Sequence, residues 1–214
     1  MAVFSPAGVW KDARPRMAHV CLIAAIAFAV ADWVAVARRW QLLEYVAKPA
    51  ALGCLLLYAA LGAHTSWYLI AALALSLLGD VYLMLPDRLF PAGLAAFLLA
   101  HLAYVADFDA TMLARATWFV LVVLASVPLA LRIIRGVPNM PLRAGVAVYM
   151  AVISLMVASA IASGHLVAAA GALLFFLSDS LIAVNRFVLP FASAPLAIIV
   201  SYHAAQLLLV TALR

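Results

Sequence analysis

The sequence predicts an all-α protein, a polytopic transmembrane bundle of about eight helices, and three observations lead to this fold class. Hydrophobic residues make up 70% of the 214 residues and charged residues only 10%, against about 45–50% and about 25% in soluble domains. The apolar residues form successive runs of about 20 residues, the helix length that crosses a hydrocarbon core of about 30 Å. Only short joints separate the runs. We therefore predict that residues 1–214 form a single integral membrane domain.

Seven joints divide the chain into its predicted helices. They contain the charges, prolines and glycines that commonly end membrane helices. In chain order the joints are 38–43, 62–66, 86–91, 107–115, 135–141, 163–165 and 188–193. The predicted spans lie near 17–37, 44–63, 66–85, 91–109, 114–135, 142–162, 165–186 and 192–213. Because every joint is short, consecutive spans are expected to be antiparallel neighbours.

The first apolar run resembles a signal peptide, since Arg14 and Arg16 precede it. The run is long enough to cross a membrane, however, and Arg38-Arg39 follows it with no small-residue cleavage pattern. We therefore predict an uncleaved span. The absence of a targeting segment and the alanine- and arginine-rich composition favour a bacterial inner (plasma) membrane.

The net charge of +5 does not indicate a nucleic-acid-binding protein. Its basic residues are scattered among the apolar runs, with no cluster longer than Arg38-Arg39, as is typical of interfacial anchors. We expect membrane lipids as partners and no nucleic acid. Cys21 and Cys54 each lie in an apolar stretch without a second thiol nearby, which argues against a disulfide framework or a zinc site.

The third and seventh spans contain a similar sequence, which predicts a parallel four-plus-four internal repeat. Four spans separate the copies, so both copies should have the same orientation in the membrane. The matching segments are Leu77-Leu78-Gly79-Asp80 with Leu89-Phe90-Pro91, and Phe176-Leu177-Ser178-Asp179 with Val188-Leu189-Pro190.

Asp80 and Asp179 are the strongest candidates for functional residues. Each lies six or seven residues from the end of its predicted span, roughly 10 Å below the interface. An aspartate inside a span costs about 2.5–3.5 kcal/mol on insertion scales and normally faces a partner or an internal cavity. One alternative is a structural bond between helices. Matching positions in the two repeats favour a shared site.

Other polar side chains lie on the fourth, eighth and second spans. His101 and Tyr104 share a face of the fourth span at i and i+3, and Tyr202 and Gln206 share a face of the eighth at i and i+4. Each could instead be a satisfied structural residue. Lys48 could contact a lipid phosphate or simply extend its side chain to the interface.

Four further acids lie near helix ends or loops and are expected to be solvated or interfacial. They are Asp32, Glu44, Asp87 and Asp109. His203 should point about 100° away from Tyr202 on the same helix.

Several sequence segments together resemble the YhhN family, whose animal members are lysoplasmalogenases of the TMEM86 type. They include Lys48-Pro49 and the pair Tyr202 and Gln206, and they occur in family order from the second to the eighth span. The longer ones are Ser76-Leu77-Leu78-Gly79-Asp80, Phe97-Leu98-Leu99-Ala100-His101-Leu102-Ala103-Tyr104 and Gly171-Ala172-Leu173-Leu174-Phe175-Phe176-Leu177-Ser178-Asp179-Ser180.

The resemblance implies hydrolysis of the vinyl ether bond of lysoplasmalogens with ethanolamine or choline head groups, giving a fatty aldehyde and a glycerophospho-alcohol. It implies no cofactor. By motif position, it implies catalytic roles for Asp80, Asp179, His101 and Tyr104. It also implies substrate-binding roles for Lys48, Ser178, Tyr202 and Gln206.

The chemistry of vinyl ether hydrolysis fits two carboxyl groups in an apolar cavity. Protonation of the β-carbon creates an oxocarbenium ion, which water captures as a hemiacetal that collapses to aldehyde and alcohol. Desolvation and mutual repulsion can keep one carboxyl group protonated while the other stays ionised beside the cation, as in glycosidases. We expect Asp80 and Asp179 to form this pair, and the sequence leaves open which is the acid.

Two alternatives remain open at this level. A metal-dependent lipid hydrolase could use Asp80, His101 and Asp179 as ligands with one open position. A small proton-coupled transporter could also carry midplane acids in a parallel repeat, although the third and seventh spans have no internal proline to break them.

Overall fold

The computed structural model describes residues 6–214, with side chains from Arg14 onward. Within this part all regular structure is helical, and eight helices are long and apolar enough to cross a membrane. A short 3₁₀ turn, Asp87–Leu89, precedes α4. The helices are α1 Pro6–Arg38, α2 Gln41–Ala60, α3 Trp67–Met84, α4 Phe90–Asp107, α5 Met112–Gly136, α6 Met140–Ala162, α7 Leu166–Phe187 and α8 Ala194–Leu213.

The predicted transmembrane fold class is confirmed, and each predicted span corresponds to one helix. The ends agree to within three residues except at the start of α1, which begins at Pro6 where the apolar run predicts 17. An apolar run marks only the membrane-embedded part of a helix, and the backbone hydrogen bonds of α1 continue beyond it.

Side chains in the joints satisfy backbone N–H groups at the starts of three helices. The Ser66 hydroxyl accepts a hydrogen bond from the Tyr68 N–H at 3.1 Å, and Asn139 accepts from the Leu142 N–H at 3.0 Å. Thr111 caps α5 in the same way. Such caps remove the unpaired donors of the first turn, so the polar joint residues determine where these helices begin.

The helices pack mainly as consecutive antiparallel pairs. Contacts of α4 with α6 and of α1 with α8 connect the two halves of the bundle. Helix α5 lies outermost, packing on α6 and α7 with only Ile133 buried. The polar middle parts of α3, α4, α7 and α8 therefore face the bundle interior, where the candidate residues lie.

Substitution of Gly136 by alanine is expected to destabilise the protein. A Cβ at this last residue of α5 would overlap the backbone carbonyl of Phe187, and backbone cannot move aside as a flexible side chain can. Thermal unfolding in detergent should show a lower midpoint. Gly145→Ala is the matched control, because a Cβ there meets nothing within 4 Å and alanine favours a helix by about 0.5–1 kcal/mol. An unchanged midpoint for Gly136→Ala would refute the close approach.

Candidate active site

Asp179 forms a polar cluster with one residue from α4 and one from α6. The Tyr149 hydroxyl donates a hydrogen bond to Oδ2 of Asp179 at 2.5 Å. Nε2 of His101 lies 3.1 Å from the same oxygen and 2.9 Å from the Tyr149 hydroxyl. His101 is fully buried, whereas the Asp179 side chain keeps 12% of its surface exposed. The carboxyl group is thus fixed on one side and accessible on the other.

The tautomer of His101 follows from its surroundings. Among the residues whose side chains the structure describes, nothing pairs with its buried Nδ1 atom. Its Nε2 atom faces an Asp179 oxygen, which accepts hydrogen bonds, so neutral His101 carries its proton on Nε2. It can then donate to the Asp179 carboxylate.

Asp80 lies in a second cluster, between α2 and α8. The ammonium of Lys48 is 3.3 Å from its Oδ1 atom, and the Tyr202 hydroxyl donates to Oδ2 at 2.7 Å. Gln206 donates to that hydroxyl at 3.4 Å and accepts from Tyr104 at 2.6 Å. The Asp80 side chain is 2% exposed and that of Lys48 is 14% exposed, so this is a buried ion pair.

The two aspartates share no hydrogen-bond partner within the described part of the chain, and aromatic rings lie between their clusters. The Phe175 ring contacts His101 at a centroid distance of 4.7 Å and Tyr202 at 5.4 Å. Seven of the eight candidate residues from the sequence thus fall into two clusters joined by Phe175. The eighth, Ser178, is buried and donates its hydroxyl to the Ile198 carbonyl at 3.0 Å.

An apolar cavity opens beside Asp179. Asp179 and Tyr149 lie among apolar side chains in its wall, which extends from Phe90 and Phe187 at one end of the bundle to Ile153 and Phe176 deeper inside. A lining of apolar side chains with a few polar groups is typical of small-molecule sites. An accessible carboxyl group in an apolar cavity is the arrangement needed to protonate an apolar substrate.

Sequence reasoning missed Tyr149 and misjudged Asp32. A tyrosine costs little in a membrane, so its position inside the sixth apolar run gave only a weak signal. The expectation of a solvated Asp32 is wrong, because that residue is fully buried where α1 packs on α2 and α8. His203 points away from the Tyr202 hydroxyl network and accepts a hydrogen bond from Trp33 at 3.0 Å.

Neither alternative function gains support from the geometry. Among residues 14–214, no three His, Cys, Asp or Glu side chains group as possible metal ligands, and Asp80 and His101 belong to different clusters. Helices α3 and α7 continue unbroken through Asp80 and Asp179, unlike the interrupted helices common at transporter sites.

Comparisons with known proteins give a consistent result. The YhhN family model matches residues 43–213. Human lysoplasmalogenase TMEM86B is 39% identical over 145 residues, which cover 67% of this chain and 62% of the human protein. The rat TMEM86B lysoplasmalogenase is 33% identical over 165 residues, covering 75% of this chain and 69% of the rat protein. Cattle lysoplasmalogenase TMEM86A is 32% identical over 150 residues, which cover 64% of this chain and 61% of the cattle protein. No solved structure matches.

Proposed function

The chain belongs to the YhhN family, and on this basis we propose that it is a membrane lysoplasmalogenase with its reacting centre at Asp179. The substrate is a lysoplasmalogen with an ethanolamine or choline head group, and the products are a fatty aldehyde and a glycerophospho-alcohol. The alanine- and arginine-rich composition supports a bacterial inner membrane as its location. The observation that carries the proposal is the Asp179 carboxyl group, held by Tyr149 and His101, in the wall of an apolar cavity.

The cavity suits a single-chain lipid in its ordinary membrane orientation. Asp179 precedes Arg186, in the last turn of α7, by two helical turns. This spacing places Asp179 about 10 Å below the end of the helix. Phe187 lines the cavity near that end, and Ile153 and Phe176 line its deeper part. A lipid head group at the interface beside Arg186 leaves the vinyl ether at the depth of Asp179 and the alkenyl chain among the deeper apolar residues.

Asp179 is proposed as the acid. Both of its hydrogen bonds use Oδ2, which leaves Oδ1 to carry the proton that is transferred to the β-carbon of the vinyl ether. The C=C electron pair forms the new C–H bond, and the ether oxygen stabilises the resulting cation. The Asp179 carboxylate then lies beside the oxocarbenium ion and accepts a proton from the attacking water.

The hemiacetal completes the balance of the reaction. Its hydroxyl loses a proton as its C–O bond to glycerol breaks, and the glycerol oxygen gains a proton. One water is consumed in total. Tyr149 and His101 hold the Asp179 carboxyl group throughout, so little reorganisation is required during the proton transfer.

Asp80 is proposed as the carboxylate that stays ionised. Its ion pair with the Lys48 ammonium favours the charged form and opposes the effect of its burial, whereas among the described residues no lysine or arginine pairs with Asp179. Its negative charge acts across the Phe175 ring and favours the cationic transition state. Tyr104 and Gln206 extend the network that positions Tyr202. A role of Lys48 in phosphate binding remains a prediction from the sequence.

Hydrolysis in D₂O tests the proposed chemistry. Purified protein in detergent should release fatty aldehyde from lysoplasmenyl-ethanolamine with one deuterium on the carbon next to the carbonyl, because the β-carbon takes its hydrogen from the acid. Mass spectrometry of the aldehyde provides the measurement. The saturated-ether analogue, which has no carbon–carbon double bond to protonate, should give no aldehyde. Aldehyde without deuterium would refute β-carbon protonation, and no aldehyde from either lipid would refute the proposed function.

Narrowing the deep end of the cavity should change chain-length preference. Ile153→Phe adds volume among the apolar side chains where the end of the alkenyl chain is expected. KM for long-chain lysoplasmalogens should rise several-fold while short-chain substrates keep theirs, because a blocked pocket loses about 0.8 kcal/mol per excluded methylene. Ile199→Phe, at a buried position that does not line this cavity, is the control for general disturbance. An unchanged preference for substrate chain length would show that the alkenyl chain binds outside this cavity.

A further inference from the structure

Asp32 and His203 form a buried polar pair that the proposed reaction does not use. Among the described residues, neither oxygen of Asp32 has a hydrogen-bond partner, and neither does Nε2 of His203. The separation of Asp32 Oδ2 from this nitrogen is 3.9 Å, too long for a hydrogen bond. Buried polar groups are seldom left unpaired.

The tautomer of His203 indicates what fits between them. The Trp33 N–H donates to Nδ1 of His203 at 3.0 Å, so the neutral ring carries its proton on Nε2, facing Asp32. A hydroxyl oxygen beside the pair, about 2.8 Å from each atom, can accept from Nε2–H and donate to the carboxylate. The pair therefore matches a ligand that presents an alcohol group.

An apolar cavity lies beside His203, between α1, α2 and α8. Trp33 and His203 lie at its polar end, and its wall includes Ala25, Leu55 and Leu207. Ala25 precedes Asp32 on α1 by two helical turns, on the side away from Arg38. The cavity therefore extends about 10 Å along this helix. This space suits a hydrocarbon chain attached to the alcohol.

A second opening lies at the end of the bundle, where Val36 of α1, one helical turn beyond Asp32, lines it. Arg39, Gln41, Glu44 and Ser193 contribute to its wall. Arg39 has φ of 59°, a left-handed conformation that favours glycine. A long cationic side chain at such a position suggests a function for the charge. Arg39 and Glu44 together offer one cation and one anion.

We propose that these three parts form a second lipid site, separate from the Asp179 cavity, that binds one zwitterionic lysophospholipid. Its phosphate pairs with Arg39, its ammonium with Glu44, its sn-2 hydroxyl bridges Asp32 and His203, and its chain fills the apolar cavity. In a diacyl phospholipid the sn-2 oxygen is esterified and cannot donate to Asp32, so the site selects lysolipids. Binding here does not depend on a vinyl ether.

Fluorescence quenching of Trp33 tests the site directly. The probe is an ester lysophosphatidylcholine with a brominated chain, added at low mole fraction to the full-length protein in unbrominated phosphatidylcholine vesicles. The difference between wild type and Trp33→Phe isolates the signal of Trp33. We expect saturable quenching, with affinity about tenfold lower for the same lipid carrying an sn-2 methoxy group, since it accepts but cannot donate a hydrogen bond. A brominated diacyl lipid should give no saturable component.

Two variants separate this proposal from the proposed function. Asp32→Asn should weaken binding about tenfold, while Asp179→Asn should leave it unchanged. Arg39→Gly is a second test that keeps the fold, because glycine is favoured at this φ, and it should weaken binding and make the affinity less sensitive to salt. Equal, non-saturable quenching by the hydroxyl and methoxy lipids would overturn the second site. Aldehyde release by the wild type is measured separately and decides only the proposed function.

Discussion

Asp179→Asn is expected to reduce aldehyde release from lysoplasmenyl-ethanolamine by a factor of about 10²–10⁴, the usual contribution of general acid–base catalysis. Asparagine has nearly the same shape and can accept the hydrogen bond from Tyr149, but it has no acidic proton to give to the β-carbon. The effect should appear in kcat, and KM should change little, because the proton transfer occurs only in the transition state.

The control for Asp179→Asn is Asp109→Asn, a matched change at an exposed aspartate, which should leave activity at the wild-type level. Tyr149→Phe provides an intermediate case, since it removes the hydrogen bond that fixes Oδ2 but keeps the acid. A well-folded Asp179→Asn protein that still turns over substrate would exclude this residue as the acid.

Asp80→Asn should lower the stability of the protein more than any other substitution described above. It leaves the Lys48 ammonium without its anion in a buried environment, and removal of one partner from a buried ion pair typically costs about 3–5 kcal/mol. Thermal unfolding in detergent should show a clearly lower midpoint. Asp87→Asn is the matched control, because its ion pair with Arg186 is largely exposed, with Asp87 90% exposed, and exposed pairs contribute little.

A double variant separates the structural and catalytic roles of Asp80. Replacement of both partners, Lys48→Met with Asp80→Leu, removes the unpaired charge and should restore much of the lost stability. Aldehyde release should nevertheless stay low, because the negative charge that stabilises the cation is absent. If the double variant is both stable and fully active, Asp80 serves only the fold.

The sequence singled out the candidate residues, but the way in which they group depends on the fold. Asp80 and Asp179 were selected as candidates because a carboxylate in an apolar span is costly and therefore informative. The sequence alone could not decide whether the two aspartates contact each other. This depends on the distance between α3 and α7 and on the Phe175 ring, which lies between His101 and Tyr202. The internal repeat and the joint action of the two aspartates remain predictions.

The environments of Tyr149 and Asp32 could not be predicted from the sequence. Tyr149 gave little signal because a tyrosine is tolerated both at a lipid-facing and at an interior position. Asp32 gave a misleading one, since its distance from the helix end suggested solvent, whereas the packing of α1 on α8 buries it beside His203. In both cases the helix faces that meet determine the environment.

The amino-acid order was sufficient for the fold class and the eight helices, because a bilayer imposes length and polarity on each span separately, and it singled out Asp80 and Asp179 as candidates. Helix packing was needed to establish which hydroxyl and imidazole hold Asp179, that Lys48 pairs with Asp80, and where the cavities lie. These features depend on contacts between helices that are distant in the chain, and apolar side chains of similar hydrophobicity carry almost no information on such contacts.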